Sequence, residues 1–82
     1  MKSNRETIVR QFLKSRFRAY SDDLGRDQEL SSILDSLGQF ELIEFIEQQF
    51  GFRIPHEEFR PDRFSTLATV LHTIAEFAGP GD

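Results

Sequence analysis

Asp35-Ser36-Leu37 opens the stretch of this sequence whose residue types and spacing best suit chemistry, a run ending at Phe50-Gly51. A serine hydroxyl is a weak nucleophile unless a base lies beside it. The two histidines, His56 and His72, are remote in sequence, and no Gly-x-Ser-x-Gly elbow surrounds Ser36. Catalysis by this chain alone is therefore not expected. A serine heading a helix has another use, because unpaired backbone N–H groups and the positive end of the helix dipole converge there. A phosphodiester at that position is favoured electrostatically. At roughly 3.6 residues per turn, Leu37, Phe40, Glu41, Glu44, Glu47 and Gln48 fall within about 140° of Ser36. That face combines three carboxylates with two apolar residues and suits a basic-rimmed apolar partner. Leu42, Ile43, Ile46 and Phe50 take the opposing arc and are expected to be core. The triplet also has a plain capping reading: Ser36 with Gln39 makes a capping box, and Asp35 is itself a good N-cap. Taken alone, the three residues favour plain capping, since such triplets arise constantly by chance.

The rest of the composition narrows the chemistry. There is no Cys in the 82 residues, so disulfides and Cys/His zinc sites are excluded, and no metal site is expected. Any thioester held here must use a sulfur added after translation. No apolar run reaches membrane-spanning length, the N-terminus lacks a signal-peptide core, and a cytoplasmic soluble protein is expected. The net charge of −4 is unevenly spread. Lys2, Arg5, Arg10, Lys14, Arg16 and Arg18 face only Glu6 in the first twenty residues, whereas the middle of the chain is acidic. The basic stretch reads as the solvated face of an amphipathic helix rather than a nucleic-acid surface. The acidic middle is the half that would attract basic partners.

Four segments must position these groups within a single domain over 1–82, with an ordered core at about 4–78. The first is predicted from Asn4 to Tyr20, with Ser3 or Asn4 as N-cap and Ile8, Val9, Phe12, Leu13, Phe17 and Tyr20 as its apolar stripe. The second runs from Ser36 to Phe50 and is stopped by Gly51. A short third helix is predicted over His56 to Phe59, limited by Pro61. The fourth runs from near Ser65 to Phe77, on Leu67, Val70, Leu71, Ile74 and Phe77. Ser21 to Leu34 has no period, and its length points to packing or function, with Leu24, Leu30, Ile33 and Leu34 as anchors. Phe12, Phe17, Phe50 and Phe77 are expected to fill the core. The fold class is all-α, three longer helices and one short one.

The block from Asp35 to Pro55 resembles the acyl and peptidyl carrier proteins. In that family Asp-Ser-Leu opens helix two, Glu-Leu follows, and the helix ends in Phe-Gly before an apolar-x-Ile-Pro segment. The corresponding residues here are Asp35-Ser36-Leu37, Glu41-Leu42, Phe50-Gly51 and Phe52-Arg53-Ile54-Pro55, followed by acidic Glu57-Glu58. Helix order and lengths agree from residue 4 to 78. The joined pattern is far more specific than any one triplet.

The resemblance implies a four-helix bundle of acyl-carrier type with a long loop between helices one and two. It further implies that Ser36 carries 4′-phosphopantetheine and tethers acyl intermediates as thioesters. Asp35 and Leu37 would belong to the surface read by the phosphopantetheinyl transferase. Phe40, Glu41, Glu44 and Glu47 would meet partner enzymes, an acyl- or aminoacyl-loading enzyme and a ketosynthase or condensing enzyme among them. A monomer is expected, with no nucleic-acid partner. Gly38 stands where fatty-acid-synthesis carriers usually have Asp, and Gln48-Gln49 interrupts the usual acidic run. These departures favour a dedicated polyketide, nonribosomal-peptide or other pathway over housekeeping fatty-acid synthesis. The alternatives are an aminoacyl or peptidyl carrier and an unmodified helical interaction module.

Overall fold

Helix α1, Arg5–Arg16, starts where the Asn4 side chain accepts the Thr7 N–H at 2.8 Å, filling one orphan donor of the first turn. A computed structural model describes residues 4–80 of the chain, so the alternative cap Ser3 lies outside the described residues. The helix ends at Arg16, four residues before the expected Tyr20. Phe17 is already extended, with φ −127° and ψ 119°. The apolar stripe misled the boundary because Phe17 and Tyr20 still pack on the core, but from a turn rather than a helix.

Helix α2 spans Ser36–Phe50 as expected. Gly51 ends it in the left-handed region, at φ 75°, where only glycine sits without a Cβ penalty. The Glu47 carbonyl accepts from both Gly51 and Phe52 N–H, at 3.0 and 3.1 Å, closing the C-terminal turn. Helix α3, Leu67–Ala78, opens with a reciprocal capping box between Thr66 and Thr69.

The short third helix is not an α-helix. His56–Glu58 and Pro61–Phe64 form two 3₁₀ turns, so three α-helices and no strand are found among the described residues. The described residues are all-helical, with three α-helices and 3₁₀ turns where the short third helix is expected. Pro61 has no N–H to give and biases Arg60 away from helical geometry. Arg60 is indeed extended, with φ −108° and ψ 133°, and splits the segment in two.

The three helices close on a core in which Val9, Leu13, Leu42, Ile46, Leu67, Val70 and Ile74 are fully buried. The largest fully enclosed side chain is Phe64, from the second 3₁₀ turn. The phenylalanines expected in the core lie at its margin instead. Phe12 stacks on Phe45 with ring centroids 4.2 Å apart, and Phe52 stacks on Phe77 at 5.8 Å.

The long segment between α1 and α2 is stitched down. Leu24, Leu30 and Leu34 are buried and Ile33 is half-buried. Leu30 N–H donates to the Ser65 carbonyl at 2.8 Å. Ala68 N–H, an orphan donor of the first turn of α3, reaches the Arg26 carbonyl at 2.9 Å.

The basic residues of α1 also take part, which corrects their reading as a merely solvated face. Arg10 donates to the Leu24 carbonyl at 2.9 Å and to Glu6, and Arg26 joins the same Glu6 carboxylate. Arg26, with Arg10 second, holds the Glu6 carboxyl below its usual pKa. Arg5 reaches the Gly79 carbonyl at 2.6 Å, tying the start of α1 to the C-cap of α3. Lys14 and Arg18 remain exposed.

Candidate functional site

Asp35 is the N-cap of α2. Its Oδ1 accepts the Gly38 N–H at 2.9 Å, and its carbonyl accepts the Gln39 N–H at 2.8 Å. Ser36 is therefore the first helical residue, not the cap. Of the two capping readings the structure selects Asp35, which leaves the Ser36 hydroxyl exposed and without a capping task. It sits at the positive end of a fifteen-residue helix.

Gly38 explains one departure noted in the sequence. It is buried, and a Cβ there would lie 2.8 Å from both Leu34 Cβ and Phe17 Cε1. A larger residue would push against the Phe17 ring and the loop anchor together. The glycine thus lets α1 approach the start of α2. The same approach places Arg16 on Glu41, with Nη2 to Oε1 at 2.8 Å, while the guanidinium lies over the Phe12 ring.

The structure separates the residues expected on one recognition face. Leu37 and Phe40 stand out, 68% and 53% exposed, and Glu44 is exposed between turns. Glu41 is half-buried in its ion pair with Arg16. Glu47 turns toward the chain that leaves the helix, its Oε2 accepting the Ile54 N–H at 2.8 Å. That carboxylate is occupied with fixing the segment after Gly51.

Two open clefts flank Ser36 on the side of the 3₁₀ turns. One, of about 520 Å³, lies between the 29–35 loop, Ser36, Gln39 and the Pro61–Ser65 turn. The other, of about 170 Å³, runs between Phe40 and Ile43 of α2 and Phe59, Arg60 and Pro61, with Phe64 at its floor. Ser36, the Gln39 amide, Pro61 and Phe64 line both clefts, with Glu29 and Asp35 added in the larger and Arg60 in the smaller, so a slender chain leaving Ser36 would meet apolar, amide and charged groups. A third cleft, of about 560 Å³, opens on the α1 side between Phe17, Ser31, Ser32 and Glu41.

The turn segment that forms the far wall is clamped by Arg63, a residue with no signal in the sequence. Only 7% exposed, Arg63 forms a two-point ion pair with Glu76 at 2.7 and 3.1 Å and meets Glu58 at 2.8 Å. Its guanidinium lies 5.3 Å from the Phe77 ring centroid, and its carbonyl accepts the Thr73 hydroxyl. Arg63 in turn holds the Glu76 carboxyl below its usual pKa. Partners contributed by two other elements, the His56–Glu58 turn and α3, leave no local pattern to read.

His56 and His72 are both exposed, on different elements. Among the described residues no group of three or more His, Asp or Glu is placed to hold a metal. No helix among them is long and apolar enough to cross a membrane.

Comparison with known proteins gives one consistent answer from curated relatives. The D-alanyl carrier protein of Streptococcus equi subsp. zooepidemicus (strain MGCS10565) is 32% identical over 74 residues, covering 90% of this chain and 94% of the relative. The D-alanyl carrier protein of Streptococcus pyogenes serotype M5 (strain Manfredo) is 30% identical over 71 residues, covering 87% of this chain and 90% of the relative. No family model matches the chain, and no solved structure matches it.

Proposed function

The chain belongs to the phosphopantetheine carrier proteins, and from that premise we propose that Ser36 bears the phosphopantetheine arm. It is a carrier rather than a catalyst, serving a dedicated pathway rather than fatty-acid synthesis. The observation that supports Ser36 is its position: first in α2, exposed, and relieved of capping by Asp35. When attached, the arm supplies the terminal thiol on which an acyl group is held as a thioester, a thiol this Cys-free chain lacks.

The chain's own residues do the rest. Asp35 fixes the N-terminal turn, so that backbone N–H groups face a phosphodiester on Ser36. Asp35 and Leu37 are offered to the phosphopantetheinyl transferase. Phe40, Glu41, Glu44 and Glu47 form the face met by loading enzymes, with unequal shares. Phe40 and Glu44 present free surface, Glu41 is shared with Arg16, and Glu47 is shared with the Ile54 amide. Exposed charge pairs contribute roughly 0–1 kcal/mol each, so this face would set encounter and orientation more than affinity. A carrier that must leave each enzyme after each step needs that balance.

For the cargo we take a small aminoacyl group, D-alanyl, as the names of the relatives indicate for those proteins. Such a cargo needs no channel into the core, which Leu30, Leu42, Ile46 and Phe64 fill. The arm-bearing protein, incubated with ATP and an enzyme that adenylates D-alanine, is expected to gain one D-alanyl group by intact mass. Ser36→Ala should gain none. Refusal of D-alanine together with acceptance of a malonyl-type group would overturn the cargo assignment.

A further inference from the structure

We propose that Arg60 is the side chain that pairs with the phosphodiester on Ser36 and so positions the root of the arm, an inference resting on the assignment of Ser36. A phosphodiester there carries a negative charge next to the Asp35 carboxylate, a like-charge neighbour on the N-cap. The helix dipole offsets this with only about half an elementary charge. A nearby cation would relieve the repulsion. Of the two clefts that include Ser36, one is lined by no Lys or Arg, and the other has a single cation, Arg60.

The ion pairs around Arg60 leave it available. Its side chain is 58% exposed, with Nη2 3.8 Å from Glu58 Oε1. That same oxygen is held at 2.8 Å by the buried Arg63. Arg63, which also holds Glu76, is the close partner of Glu58, and Arg60 is the distant and more exposed one. Arg16, the last residue of α1, is committed to Glu41 at 2.8 Å and lines the opposite cleft. The extended backbone of Arg60, between the two 3₁₀ turns, keeps its side chain outside both turns and against the cleft. Guanidinium is the better group for this task than ammonium, because its planar donors match two phosphate oxygens.

The test compares apo and arm-bearing forms of the wild type, Arg60→Ala, Arg60→Lys and Arg60→Glu. The phosphorus resonance of the phosphodiester should move in Arg60→Ala and further in Arg60→Glu, with Arg60→Lys between wild type and Ala. The melting midpoint of the arm-bearing form minus that of the apo form should fall by about 2–4 °C in Arg60→Ala, the size of one surface ion pair. Taking this difference cancels any effect of Arg60 on the fold alone. The fall should shrink in high salt. An unmoved phosphorus resonance and an unchanged difference in all variants would overturn the role of Arg60 while leaving Ser36 in place. A wild type that acquires no phosphopantetheine would overturn the Ser36 assignment itself.

Discussion

The two flanks of Ser36 are built on opposite principles. On the α1 side, Gly38 lets Phe17 and Leu34 pack against the start of α2 closer than a side chain at 38 would allow, and Arg16 closes over Glu41. On the other side, the 3₁₀ turns stand back from α2 and leave an open cleft beside the hydroxyl. The open flank is no less ordered for that. Its turns are anchored from beneath by Phe64 and from behind by the Arg63 clamp. The closed flank fixes where α2 begins, and the open flank reserves space at that beginning. Rigidity and access are thus divided between two neighbouring surfaces, not traded off on one.

The anchor under the open flank should carry the larger share of stability. Phe64→Ala is expected to cost about 3–5 kcal/mol, as for other enclosed aromatic side chains, read by urea denaturation. A cost under about 1 kcal/mol would mean the turns rest on α2 without being anchored. The closed flank should respond to crowding. Gly38→Asp, which restores the residue usual in fatty-acid carriers, is expected to cost about 1–3 kcal/mol through overpacking against Phe17 and Leu34. Pairing it with Phe17→Leu should recover part of the loss. A neutral Gly38→Asp would show that the flank can part without penalty.

Acid should weaken both sides of the molecule by a stated route. The Glu6 carboxyl is held low by Arg26 and Arg10, and the Glu76 carboxyl by Arg63, both from the ordinary 4.5. A depressed carboxyl gives its full stabilisation above its unfolded value and loses it as pH falls through the folded one. The melting midpoint should therefore drop as pH is lowered below about 4.5. Glu76→Gln and Glu6→Gln should each flatten that fall. Curves that stay parallel to wild type would remove these pairs from the acid response. The smallest structural effect is expected at Leu37, 68% exposed. Leu37→Ala should change stability by less than about 0.5 kcal/mol while slowing modification by the transferase. Slower modification with a damaged fold would instead make Leu37 part of the packing.

Much of this was legible because its causes are local. The span of α2 follows from Asp35, Gly51 and a stripe of Leu42, Ile43 and Ile46, all within one helix. The loop anchors Leu24, Leu30 and Leu34 were visible as isolated apolar residues in a polar stretch. What escaped depends on contacts across the chain. The stop at Arg16 is set by Phe17 reaching Gly38, and an apolar period cannot reveal a distant glycine. The split into two 3₁₀ turns is hidden because a proline in sequence marks a limit to a helix without saying that a second turn starts at it. On the expected recognition face, spacing groups Glu41, Glu44 and Glu47 around the helix but gives no hint that two of them have internal partners. Angle around a helix axis says which way a side chain points, not whether something meets it there.

The central claim is that the arm is carried by Ser36, and its most direct test is localisation. Cleavage at Arg26 and Arg53 releases residues 27–53 as one peptide containing three serines, Ser31, Ser32 and Ser36. After co-expression with a broad-specificity phosphopantetheinyl transferase, fragmentation of that peptide should place a single phosphopantetheine on Ser36. Modification on Ser31 or Ser32, or an unmodified peptide under several transferases, would contradict the claim.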